Sequence, residues 1–248
     1  MHARPRKHRP RRWTRPPLVS RRSTTCCRNV REALTEACDD VTFWIVSAAS
    51  IVAAYLLGSL PTGYLAGRLL KGIDIREHGS GSTGATNVLR TLGKGPALAV
   101  LLVDVLKGVA AIAFVRWIHS WLDAPAWIPW AVCLAGLAVL LGHSRSVWLN
   151  FTGGKSAATG LGVLLALSWP VGLGAAAAFG VVLAIFRIVS LSSMTAALTA
   201  ITLVCVLEQP LPYRLLVIAG GVYVIVLHRM NIRRLLAGTE PRVGRKLS

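Results

Sequence analysis

Three short polar stretches hold the residues of this chain that could do chemistry. The first is GSGSTGATNVLR, which places Gly79, Ser80, Gly81, Gly84, Thr86, Asn87 and Arg90 within twelve residues. Small residues let backbone N–H groups converge on an anion, and a guanidinium fork matches phosphate oxygens. Gly81 and Gly84 allow positive φ and close backbone approach, while Ser80, Thr86 and Asn87 offer side-chain hydrogen bonds. The second stretch places Gly153, Gly154 and Lys155 ahead of Ser156, where an apolar segment opens. An ammonium and a helix N-terminus there could both face an anion. The third is HRMNIRRLLAGTE, in which His228 and Asn231 lie three apart and share a face if the helix continues. Arg233 and Arg234 follow, and Glu240 offers a partner charge. Cations and amides for phosphate beside a histidine suit group transfer on a phosphate-bearing substrate.

Each stretch also has an ordinary reading. The first could be a flexible interhelical turn, Lys155 an interfacial lysine, His228 a helix cap and the Arg pair a topological anchor. Several chemistries are excluded. The GKS triplet lacks the P-loop's first Gly, where Leu149 stands, and no strand precedes it, which argues against an ATPase or kinase. There is no G-x-S-x-G elbow. His143 and His228 lack a third ligand at metal spacing, so neither a metal nor any other cofactor is expected.

The elements that must position these clusters are membrane helices. Hydrophobic residues make up 54% of the 248 residues and charged residues only 15%, well short of the roughly 25% of a soluble domain. Seven apolar segments run over about 43–70, 96–116, 127–142, 156–168, 170–187, 192–207 and 212–228. This predicts an all-α polytopic membrane protein, one bundle of about seven helices over residues 41–240, with a short basic tail at 241–248. The fourth segment is short enough for a half-span or re-entrant helix. Pro96, Pro129, Pro170 and Pro212 fall near segment starts, where a missing N–H is tolerated. Asp104 and Lys107 sit inside the second segment at i,i+3, either paired with each other or reaching the polar site. The run Ser190–Ser193 is either a helix cap or a source of hydroxyl donors, with Ser192 and Ser193 as the substrate-binding candidates.

Lysine and arginine concentrate in the connections 71–95, 143–155 and 188–191 and after the last segment. The positive-inside rule places that side, with all three clusters, in the cytoplasm and the N-terminus outside. Residues 1–40 hold eleven of the 28 Lys and Arg, in a stretch without apolar periodicity. They read as a disordered extension, or as residues upstream of a start near Val41; a nucleic-acid or lipid-surface arm is the sharper alternative. Cys26, Cys27, Cys38, Cys133 and Cys205 show no pairing or metal spacing. A transporter for a phosphate-bearing solute would need polar sites near mid-membrane and an internal repeat, neither of which stands out. A non-catalytic membrane scaffold would not need Ser80, Lys155 and His228 together.

Taken in order, GSLPTGYLAGRLLKGIDIREHGSGSTGATNVLRTLG, DVLKG, HSRSVWLNFTGGKSAAT and HRMNIRRLLAGTE resemble the PlsY family of bacterial glycerol-3-phosphate acyltransferases over essentially residues 55–240. The resemblance implies acyl transfer from acyl phosphate to glycerol 3-phosphate in the bacterial inner membrane. Lysophosphatidic acid and phosphate would be the products, with no metal, and a soluble partner enzyme would supply the acyl phosphate. It also implies that Ser80, Arg90, Lys155, His228 and Asn231 carry the reaction, with Asn87 as companion. Nucleic acid is not an expected partner. Two departures stand out: Ser82 replaces an Asn usual in the family, and Ser156 follows Lys155 where many members have Gly.

Overall fold

The computed structural model describes residues 41–122 and 126–244. The basic extension 1–40 with its three cysteines, and Arg245 and Lys246, lie outside the described residues. Among those described the regular elements are helical: α1 (residues 41–59), α2 (Thr62–Lys71), α3 (Ala85–Thr91), α4 (Lys94–His119), α5 (Ile128–Ser144), α6 (Ala157–Leu167), α7 (Trp169–Phe186), α8 (Val189–Val206), α9 (Leu211–Leu227) and α10 (Arg229–Leu236). All seven apolar segments are helices. Residues 41–71, α4, α7 and α8 are long and apolar enough to cross a bilayer, and α9 with α10 forms a fifth candidate, bent by 56°. With 17 and 11 residues, α5 and α6 are shorter. At about 1.5 Å per residue α6 reaches roughly 16 Å, half of a ~30 Å hydrocarbon core, as its short apolar run implied.

The first apolar segment is two helices rather than one, broken at Leu60 and Pro61. A break inside a membrane frees carbonyls that need partners. Lys107 Nζ donates to Leu60 O at 3.2 Å, and Thr62 Oγ1 donates to Asp104 Oδ1 at 2.7 Å. Asp104 and Lys107 pair at 2.9 Å, both nearly fully buried. These two charges are therefore the structural pair the sequence allowed, anchored to the Pro61 break. Arg116 plays a similar part at the other end of α6: its guanidinium donates to Ala166 O at 2.5 Å and Leu167 O at 3.3 Å, covering carbonyls that helix termini leave open.

Small residues set the helix spacing. A Cβ on Gly108 of α4 would strike Thr159 O, and one on Gly162 of α6 would strike Val105 O. Gly58 of α1 and Gly142 of α5 meet Val139 O and Tyr55 O in the same reciprocal way. Backbone-to-backbone approach of this kind lets helices associate where hydrophobicity alone gives no drive. The apolar core between them includes Ile112, Val115, Val132, Val139, Val171 and Val204.

Candidate active site

The loop before α3 is not a flexible turn. Asn87 is buried, and its amide closes the loop: Oδ1 accepts from Ser80 N at 2.8 Å, and Nδ2 lies at 3.0 Å from Ile75 O, 3.0 Å from His78 O and 2.9 Å from Ser82 O. That commits the side chain to the loop's own backbone, so Asn87 positions the loop rather than offering its amide to a substrate. Gly79 and Gly81 have φ of +60° and +70°, values that favour glycine. Any Cβ on Gly79 would meet Asn87 Oδ1. Gly84 departs from the expected positive φ: at −79° it is extended and serves as the N-cap position of α3. The Ser82 hydroxyl accepts from Gly84 N at 3.4 Å, a bond available to the Asn it replaces. Ser80, Thr86 and Arg90 are left facing an open cavity, and the Arg90 guanidinium has no hydrogen-bond partner among the described residues.

The second cluster is built differently from expectation. Gly154 N donates to His143 O at 3.0 Å, so this amide is occupied. A Cβ on Gly153 would strike His143 O, and one on Gly154 the His143 ring. The two glycines let the segment leading to Lys155 lie against α5. Ser156 has φ of +57°, which explains why glycine suits this position. Its hydroxyl donates to Leu140 O at 2.7 Å and offsets part of the strain. Lys155 emerges from this tight turn into the cavity, and Nζ donates to Asn231 Oδ1 at 2.6 Å.

In the third cluster the chain bends at His228. His228 Nδ1 lies 2.8 Å from Val224 O. A carbonyl only accepts, so the ring proton sits on Nδ1 and Nε2 is left as an acceptor. Asn231 stands between two charges: Oδ1 accepts a hydrogen bond from the Lys155 ammonium and Nδ2 donates to Glu240 Oε1 at 2.6 Å. Ser190 Oγ donates to the same oxygen at 2.8 Å, and Arg234 Nε to Oε2 at 2.7 Å. Burial acts to raise the Glu240 pKa, but hydrogen bonds from Arg234, Asn231 and Ser190 outweigh it and hold the carboxyl below its usual range. Burial lowers the Lys155 pKa; Glu240 opposes this, while Arg234 and Arg90 add to it.

One cavity of about 510 Å³ joins these pieces. Its polar end is walled by Ser80, Arg90, Lys155, His228, Asn231 and Glu240, brought together from the three polar stretches of the chain. Gly84, Thr86, Asn87 and Ser193 also border it, whereas Gly79, Gly81, Gly153, Gly154 and Ser192 do not. Of the two serines expected there, Ser193 borders the cavity and Ser192 does not. Ser192 and Ser193 donate to Ile188 O and Val189 O at 2.9 Å each, bonds within their own stretch of chain. Ser190 also borders the cavity and is the serine of this run that bonds to Glu240. At 3.6 residues per turn Ser190 and Ser193 share a face and Ser192 points elsewhere, a periodicity that could have picked out Ser190. Glu240 and Ser190 are the members that reading the sequence underrated.

A family model describing glycerol-3-phosphate acyltransferase matches residues 48–238. A glycerol-3-phosphate acyltransferase 2 of Rhizobium johnstonii is 73% identical over 215 residues, covering 82% of this chain and 98% of the relative. A glycerol-3-phosphate acyltransferase of Trichormus variabilis is 58% identical, covering 83% and 96%. The crystal structure of PlsY (YgiH), an integral membrane glycerol 3-phosphate acyltransferase, in its glycerol 3-phosphate form superimposes with TM-score 0.73 at 38% identity, covering 80% of this chain and 96% of that one. Its lysophosphatidic acid form gives 0.70 at 37% identity. With its helical bundle and a polar cluster lining a cavity, the chain belongs to the integral membrane glycerol-3-phosphate acyltransferases of the PlsY family.

Proposed function

We propose that this acyltransferase takes its acyl group from an acyl phosphate and passes it to a hydroxyl of glycerol 3-phosphate, giving lysophosphatidic acid and inorganic phosphate as the first step of phospholipid synthesis. The observation that carries the reading is the continuity of one cavity, cationic and imidazole-lined at its mouth and apolar below. Such a shape suits a substrate with a phosphate at one end and a fatty chain at the other.

In this reading the glycerol hydroxyl attacks the acyl carbonyl carbon, an ester C–O bond forms, and the bond from that carbon to the phosphate oxygen breaks. An acyl phosphate already carries a good leaving group, so no covalent enzyme intermediate is needed. What the site supplies is placement and charge. Two phosphates are held near each other, and charge growing on the acyl oxygen and departing phosphate is met by fixed donors. Arg90 and Lys155 are the cations for this, with Ser80 a hydroxyl donor at the loop edge. His228, its proton held on Nδ1 by Val224 O, presents Nε2 to take the hydroxyl proton. In the alternative the departing phosphate takes that proton and His228 only orients the hydroxyl. Asn231 sets the position of Lys155. Neither a metal nor a cofactor has a role.

The excess of Lys and Arg on the loops of this end supports a site at the cytoplasmic face of the bacterial inner membrane with the N-terminus outside, and in this reading a soluble acyl-phosphate-forming enzyme feeds it. Phosphate release by purified protein from palmitoyl phosphate, with and without glycerol 3-phosphate, tests the donor. Release that requires glycerol 3-phosphate, and that falls about 100- to 1000-fold in Lys155→Ala, is the expected result. Transfer from an acyl thioester but not from acyl phosphate would overturn the proposal.

A further inference from the structure

Below its polar mouth the cavity continues as an apolar arm between α4 to α9. Positions along the helices give its depth. On α9 the wall runs from His228 through Val224 and Gly220 to Leu216, and twelve residues at about 1.5 Å each make about 18 Å. On α8 it runs from Ser190 to Ala200, ten residues or roughly 15 Å. A bilayer core of about 30 Å is filled by two opposed chains, so one membrane acyl chain occupies roughly 15 Å. The arm is as deep as one such chain is long.

Its far end is closed. Ala175 and Ala200 are each 2% exposed and Leu216 1%, so neither lipid nor water reaches this end from outside the bundle. The first two, on α7 and α8, belong with Leu216 to the close-packed apolar core. Leu216 lies against α5, where a Cβ on Gly136 would come within 2.6 Å of Leu216 Cδ2. Higher up, Gly220 keeps the wall clear next to Leu140.

We propose that Ala175, Ala200 and Leu216 form the floor of a length gauge, which sets the longest acyl chain this enzyme transfers. The inference rests on the acyl-donor reading above and deepens it. Each methylene that fits inside the arm strengthens binding about fourfold through burial. The first methylene too many must displace close-packed side chains, and weakens binding roughly 5- to 150-fold. Preference therefore rises with chain length and then drops sharply, at a length fixed by the floor.

The test measures kcat/KM for a series of saturated acyl phosphates from decanoyl to stearoyl, at saturating glycerol 3-phosphate, in wild type, Ala200→Phe and Leu216→Ala. A phenyl ring on Ala200 raises the floor, so the palmitoyl-to-lauroyl ratio falls tenfold or more while the KM for glycerol 3-phosphate stays put. Removing the Leu216 side chain lowers the floor, so the stearoyl-to-palmitoyl ratio rises several-fold. Unchanged ratios in folded, active variants overturn the gauge. If Ala200→Phe does not fold, Leu216→Ala decides alone: a raised ratio supports the gauge and an unchanged one overturns it. A folded wild type inactive with every acyl phosphate refutes the donor reading itself, and the gauge with it.

Discussion

Replacing Asn231 by Ala should cripple the enzyme through Lys155 and not by removing a substrate contact. The Asn231 amide receives the Lys155 ammonium at 2.6 Å and donates to Glu240 at 2.6 Å. Both bonds involve a charged group, and such bonds contribute about 1.5–3 kcal/mol each. Loss of the first alone frees the ammonium to leave the phosphate position, which predicts a fall in kcat/KM of roughly 10- to 150-fold. Loss of the second leaves Glu240 Oε1 with Ser190 alone and lowers thermal stability as well. Phosphate release from palmitoyl phosphate in the four corners of an Asn231→Ala and Lys155→Ala cycle separates the two routes. If Asn231 acts by placing Lys155, the double variant is no slower than Lys155→Ala alone. Losses that multiply across the two sites, or an Asn231→Ala enzyme within threefold of wild type, would refute this reasoning.

Three further outcomes follow from the geometry. Gly162→Val drives a side chain into the α4 backbone at Val105 O, and should lower the thermal midpoint in detergent by an amount matching 1–3 kcal/mol or more. Ser156→Ala keeps the left-handed φ of +57° and loses the bond to Leu140 O, costing about 1 kcal/mol, whereas Ser156→Gly relieves the strain and should unfold close to wild type. The hydrogen bond and charge of Arg76 overcome the effect of burial and hold the Asp74 carboxyl down to about 2. With its folded value depressed, its stabilising effect is complete above the ordinary value of 3.8 and is lost as pH falls toward about 2. An acid-unfolding curve for Asp74→Asn should therefore have lost that component of the slope below pH 4.

Residues, their order and the membrane class were legible in the chain itself. Long uncharged runs must be helices in a bilayer, because no water is present to satisfy a bare backbone. Ser80, Arg90, Lys155 and His228 stood out through the order of their motifs, which resembles the PlsY family, and all four line one cavity. Division of labour within each motif was not legible. Gly153, Gly154 and Asn87 look like phosphate ligands in one dimension, yet two make room for His143 and the third ties its own loop together. Ser190 and Glu240 lie 50 residues apart and become partners only when α8 and the chain after α10 meet. A pattern of residue types records which groups can bind an anion. Which of them stay free to do so depends on what each group already touches, and only packing in three dimensions decides that.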